Sequence, residues 1–206
     1  PKPQTPVAQT PKIEPNAHST SPRAHSSLIL NTNFIKALLT MVLCYKCVFT
    51  DSEMYSDSYP AKTDYSDQIV KIKAKFVNLE AVGGDIGDAE DIDDQVQRVL
   101  DLVHAYKYEQ TTFTKKTFLA YIKSYMQNVI EHLKSKGKSD EEIETFKKGS
   151  QDFVKHLLEN FKEFEFYLND QNTTDGACAF AYWEDPENDE GPTFCYIKAG
   201  LVAEKY

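Results

Sequence analysis

The densest chemical capacity in this sequence lies in its carboxylates. From Glu80 to Asp94 it reads EAVGGDIGDAEDIDD, with seven carboxylates, three glycines and no basic residue. Calcium takes several oxygen ligands from carboxylates and carbonyls, so Asp85, Asp88, Glu90 and Asp91 are candidate ligands. The spacing is not that of an EF-hand, since no glycine stands sixth with a glutamate twelfth. A glycine-rich stretch that repels itself is mobile and not preorganised, and the affinity expected of it is weak, on the order of 10⁻⁴ to 10⁻³ M. A solvated, solubilising loop accounts for the same residues.

The thiols point away from metal and redox chemistry. Cys44 and Cys47 form one C-x-x-C, but Cys178 and Cys195 have sixteen residues between them instead of two, so no zinc site is expected. Val42 to Phe49 reads as strand, where positions three apart face opposite sides, and a redox pair would want Cys44 at a helix N-terminus. Four reduced thiols in a cytosolic protein are the expectation. No nucleophile motif, Walker loop, dinucleotide fingerprint or H-E-x-x-H is present, and the glycines of AVGGDIGD are not followed by a Lys-Ser/Thr. His104, His132 and His156 are scattered. No enzyme is expected, and no cofactor beyond weakly held calcium.

Charge and composition divide the chain. Residues Pro1 to Ser27 hold six of the nine prolines among Ser, Thr, Gln and Asn, with almost no large apolar side chains. Such a stretch buries too little surface to offset its ordering entropy, and disorder over residues 1–40 is expected. Lys2, Lys12, Arg23 and Lys36 against Glu14 give those forty residues a charge of +3, so of the chain's −9 the remainder carries −12. That acidity disfavours nucleic acid and anionic membranes and favours cations or basic protein faces. The longest apolar-leaning run, Ala37 to Tyr45, is too short to span a bilayer, and no small-x-small cleavage site follows it. Met41 is the expected start of a domain running to Tyr206.

The candidates need elements to position them. Val42 to Thr50 is expected as a first strand, broken by Asp51 to Pro60. Ile69, Lys71, Lys73 and Lys75 alternate with Val70, Ile72, Ala74 and Phe76, which predicts a half-buried strand with a basic solvent face. Gln97 to Tyr108 fits helical and alternating spacing equally well. Thr112 to Lys136 carries one apolar stripe (Phe118, Ile122, Tyr125, Met126, Val129, Ile130, Leu133), with Gly137 as its stop. Ser139-Asp140-Glu141-Glu142 is a capping box opening a second helix with Ile143, Phe146, Phe153, Leu157 and Phe161 on one face. Glu163 to Leu168, Ala177 to Trp183 and Thr193 to Lys198 are aromatic-rich strands, the first two joined by a turn that contains an Asn172-Thr173-Thr174 glycosylation pattern. Strands, a helical hairpin and strands again predict an α+β domain with a mostly antiparallel sheet.

Four segments carry a family resemblance: VFTDSEMYSDSY (Val48 to Tyr59), TTFTKKTFLAYIKSYM (Thr111 to Met126), FVKHLLENFKEFEFYL (Phe153 to Leu168) and the terminal GLVAEKY. In this order they resemble the translationally controlled tumour proteins, also called histamine-releasing factor or fortilin. The resemblance implies a tent-like β domain with a projecting two-helix hairpin, and makes Gln97 to Tyr108 a strand. It also implies calcium binding, association with tubulin and microtubule stabilisation, contacts with a small GTPase and a translation elongation factor, and roles in growth and survival. Cytoplasmic residence is implied, with release as an extracellular factor lacking a signal peptide as the alternative. By the same resemblance the tubulin-binding hairpin would present Lys115, Lys116, Lys123, Lys134, Lys147 and Lys148. The GTPase contact would fall on Glu53. A second calcium position falls on Phe153, which cannot ligate, leaving Asp152 beside it. The sequence departs from the family where Asn169-Asp170 replaces a glycine-glutamate pair, and where the glycine-asparagine-serine loop signature is reduced to Gly83-Gly84-Asp85-Ile86-Gly87.

Overall fold

The computed structural model describes residues 42–79, 97–169 and 175–206. The first forty-one residues, the acidic stretch with Asp85, Asp88, Glu90 and Asp91, and Asn172-Thr173-Thr174 lie outside them.

The chain enters through β1 (Leu43–Cys47), turns back at Asp51 and forms β2 (Glu53–Ser56). The turn holds Asp51 at φ 57°, with its N–H donating to the Cys47 carbonyl at 2.9 Å. Asp51 to Pro60 is therefore not simply a break: Met54 and Tyr55 are buried within it, and the acidic and serine residues around them hid the strand. The C-terminal β11 (Leu201–Lys205) pairs antiparallel with the other side of β1, giving a three-stranded sheet ordered β11-β1-β2.

A six-stranded antiparallel sheet forms the centre. Its strands are β3 (Ala61–Asp64), β4 (Ile69–Lys73), β7 (Glu109–Thr111), β8 (Glu165–Leu168), β9 (Ala179–Tyr182) and β10 (Thr193–Ile197), ordered β3-β4-β10-β9-β8-β7. Side chains alternate across a strand, and β10 shows what that does here. Phe194 and Tyr196 enter one core with Met54, Tyr55, Val70 and Ile72, while Cys195 and Ile197 enter another with Phe118, Phe153, Phe166 and Phe180. All five β10 residues are buried, as expected of a strand covered on both faces. Of the expected basic solvent face on β4, Lys71 meets Asp64 at 2.8 Å and Glu184 at 3.8 Å, and Lys73 pairs with Asp189. The Lys71 and Lys73 charges are thereby neutralised, while Lys75, beyond the end of β4, is exposed.

The ambiguous segment resolves into both of its periodicities. β5 (Phe76–Asn78) pairs with β6 (Arg98–Leu100), and a one-turn helix α1 (Asp101–Ala105) follows at once. A strand over all of Gln97 to Tyr108 is thus corrected. The Asp101 carboxylate accepts the N–H of Leu102 at 2.7 Å and of Lys75 at 3.1 Å, which diverts the backbone out of the ladder. The turn drops Leu102, fully buried, into the second core.

α2 (Lys115–Ser135) and α3 (Asp140–Glu159) are the expected hairpin. Thr114 and Thr117 form a reciprocal cap at the start of α2, and Ser139 and Glu142 do the same for α3. Between them Gly137 takes φ 72°, and the Lys138 N–H returns to the Leu133 carbonyl at 3.1 Å. Phe118, Tyr121, Ile122, Tyr125, Val129, Phe146, Phe153 and Leu157 pack on one face of the six-stranded sheet, and the three-stranded sheet covers the other. The molecule is an α+β domain of antiparallel sheets with a helical hairpin.

Candidate interaction surface on the helical hairpin

Helices packed on a sheet leave an outer face, and on this hairpin that face is concave. A groove of about 550 Å³ runs between α2 and α3, floored by Ile122, Met126 and Ile130 and walled by Leu119. Lys123 and Gln127 rim it on α2, Lys147 and Gln151 on α3. Leu119 retains 47 % of its surface in water, which makes it one of the few large apolar side chains so exposed. It lies off the stripe that buries Phe118 and Ile122, so sequence spacing sets it among the solvent residues. Its one legible signal is a leucine standing on the polar side of an amphipathic helix.

The lysines expected here have different circumstances. Lys115 is a positioning group: its ammonium donates to the Leu158 carbonyl at 2.9 Å, near the end of α3, and stands 5.8 Å from the Phe161 ring centre. Lys147 pairs with Glu144 at 2.6 Å. Lys116, Lys123, Lys134 and Lys148 are exposed and form no ion pair among the described residues. Three of the hairpin's carboxylates, Asp140, Glu141 and Glu142, stand at the start of α3 and face the positive end of the helix dipole.

Glu53 sits elsewhere, on the outer strand of the three-stranded sheet and opposite Lys46 in register. Lys46 is held by Glu204 at 2.5 Å and lies 4.9 Å from the Tyr206 ring centre, so Glu53 borders a small charged cluster. Neighbouring Cys44 is pushed up to about 11, first by burial and then by the Glu53 charge. A second cavity of about 600 Å³ opens nearby, lined by Tyr45, Tyr55 and Tyr59 with Val70 and Leu201. Tyr45 and Tyr55 stack with ring centres 4.5 Å apart. The tyrosines were legible as residues, but not as the wall of one cleft.

A family model described as translationally controlled tumour protein matches residues 41–202, which takes in both surfaces and nearly every element described. The chain belongs to the translationally controlled tumour protein family. A homolog from Plasmodium chabaudi chabaudi is 31 % identical over 172 residues, covering 79 % of this chain and 98 % of its own length. One from Yarrowia lipolytica is 30 % identical over 171 residues, covering 80 % and 99 %. Among solved structures, the translationally controlled tumour-associated protein of Schizosaccharomyces pombe superposes with a TM-score of 0.66 at 28 % identity, covering 80 % of this chain and 99 % of its own. The Caenorhabditis elegans protein does so with 0.61 at 30 %, covering 80 % and 98 %.

Of the calcium positions expected in a translationally controlled tumour protein, only Asp152 is described. It is exposed on α3, while Phe153 beside it is 1 % exposed within the helix-side core. Among the described residues no group of three His, Cys, Asp or Glu is placed to hold a metal ion. The four cysteines are unbonded and buried. Burial pushes Cys195 up to about 12 and Cys178 higher still, and the Cys47 sulfur accepts the Ala177 N–H at 3.3 Å. His132 packs edge-on against Phe49, and His156 against Phe164 and Tyr182. These imidazoles are packed against aromatic rings.

Proposed function

We propose that this protein is a non-enzymatic interaction protein whose helical hairpin binds tubulin and stabilises microtubules. The observation that carries the reading is the set of exposed ammonium groups of Lys116, Lys123, Lys134 and Lys148, unpaired among the described residues, with Lys123 on the rim of an apolar groove. On a domain of net −12 such a face is a local exception. Acidic protein surfaces are its complement, and steering by it weakens with salt. Co-sedimentation with polymerised tubulin tests this. The wild-type chain should pellet, less so as ionic strength rises, and a variant with these four lysines changed to glutamate should stay in the supernatant. Pelleting unaffected by the charge reversal would sink the reading, as would no pelleting at all.

A second surface supports contact with a small GTPase, since Glu53 is exposed on an outer strand beside the Lys46–Glu204 pair. Glu53→Ala should then abolish any change that the wild-type chain makes in nucleotide release by the cognate GTPase. A translation elongation factor is a further acidic-or-basic surface partner in the same class, and pull-down with both surface variants assigns it to one face. Weak calcium binding is retained with Asp152 as one ligand and Asp85, Asp88, Glu90 and Asp91 as the others. Amide shifts during a calcium titration should cluster at those residues. Residence in the reducing cytoplasm agrees with four buried thiols and no disulfide.

A further inference from the structure

We propose that the groove between α2 and α3 is a seat for one amphipathic helix of a partner protein, with leucine-like anchors on its inner face and glutamate or aspartate on its flanks. This deepens the tubulin-binding reading by naming the element that the hairpin recognises.

Three features select a helix. Two antiparallel helices present a trough parallel to their axes, and a third helix laid there completes a three-helix bundle, with anchors spaced i, i+3 or i+4, and i+7. The floor supplies Met126, an unbranched thioether that adapts to the shape of an incoming anchor, between Ile122 and Ile130. Leu119, half in water, gains most by being covered. The rims select charge: Lys123 stands on α2 and Lys147 on α3, so acidic flanks meet an ammonium on either side. Lys147 already holds Glu144, which leaves Lys123 as the rim ammonium with no ion pair among the described residues. An anionic bilayer is the poorer occupant, because the apolar floor is recessed and the domain as a whole is acidic. A second copy would have to offer a helix whose exposed side is apolar, and the outer face of α3 carries Glu144, Lys148, Gln151 and Asp152.

The probe is a labelled synthetic helix with leucines at those spacings and glutamate flanks, titrated with the full chain and read by fluorescence anisotropy. Binding should weaken about tenfold or more in Leu119→Glu, whose exposed position keeps the fold intact by circular dichroism. Lys123→Glu should weaken binding of the glutamate-flanked peptide and restore binding of a lysine-flanked one. A peptide with a central proline should not bind. The proposal is overturned if neither peptide binds, if the proline peptide binds as well, or if Leu119→Glu leaves the affinity unchanged. It is equally overturned if the groove proves to be a dimer contact, seen as a wild-type dimer by sedimentation that Leu119→Glu abolishes, or a lipid contact, seen as Leu119-dependent pelleting with phosphatidylserine vesicles. Lysine-dependent pelleting with microtubules alongside failed peptide binding removes this inference alone. Peptide binding without pelleting removes the tubulin reading and leaves the groove.

Discussion

Gly149 is the point where α3 touches the β3–β4 turn, and it explains why a glycine is kept in the middle of a well-formed helix. A Cβ built there would lie 2.2 Å from the Tyr65 carbonyl oxygen and 2.8 Å from Gln68 Cγ. That turn is itself unusual, since Tyr65, Ser66 and Asp67 all take φ between 52° and 65°. Left-handed backbone costs a non-glycine residue about 1–2 kcal/mol, so the neighbouring packing must hold it. Tyr65 packs edge-on against Phe153 at 5.4 Å, and the Asp67 carboxylate pairs with Lys198 at 2.6 Å. Gly149→Ala gains helix propensity of about 1 kcal/mol but must displace a backbone carbonyl, so chemical denaturation should show a net loss of roughly 1–2 kcal/mol. At Gly137 no neighbour lies within 4 Å, and only its positive φ resists substitution. In the second core the Tyr108 hydroxyl donates to the Met54 carbonyl at 2.5 Å and lies 3.3 Å from the Tyr196 hydroxyl. Tyr108→Phe leaves both without that partner and should cost about 1–3 kcal/mol in the same measurement.

At the scale of elements, the hairpin is governed by local chemistry and the rest is not. Lys138 and the Ser139 cap hold the Glu142 carboxyl down at about 2 against an ordinary 4.5. A carboxyl depressed in the folded state contributes stability above its unfolded value and loses it as pH falls through the folded one. The contribution of this exposed group should therefore be intact above pH 4.5 and fade between 4.5 and 2. Denaturation midpoints across that window should fall less steeply for Glu142→Gln, which keeps part of the cap without the charge. The same capping box made the start of α3 readable from Ser139-Asp140-Glu141-Glu142, and Gly137 made the stop of α2 readable, because caps act within one turn of chain. β2 and α1 were not readable in this way. β2 depends on pairing with β1, and α1 depends on Asp101 reaching Lys75, a partner 26 residues away. The groove was half legible: its lysines stood out, whereas Leu119 acquires meaning only once α3 lies beside it. Asp85, Asp88, Glu90 and Asp91 were legible as chemistry, but they lie outside the described residues.

Across the whole molecule, two interiors share one sheet, and every thiol is inside. Since the thiolate is the reactive form, burial that raises Cys44 to about 11 and Cys195 to about 12 should make the native protein slow to react with a thiol reagent at pH 8. All four should react once the chain is unfolded in denaturant. Rapid labelling of even one in the native state would contradict the described burial. The partition between the interiors rests on the alternation along β10. Changing which large residue occupies a position alters the fit of one interior, but shifting the strand by one position exchanges the contents of both. A one-position slip of β10 against β4 and β9 would send Phe194 and Tyr196 toward the hairpin and turn Cys195 and Ile197 toward the three-stranded sheet, at once and along the full strand. A change of letter in such a strand is a local fault, whereas a change of phase is a fault in both interiors together.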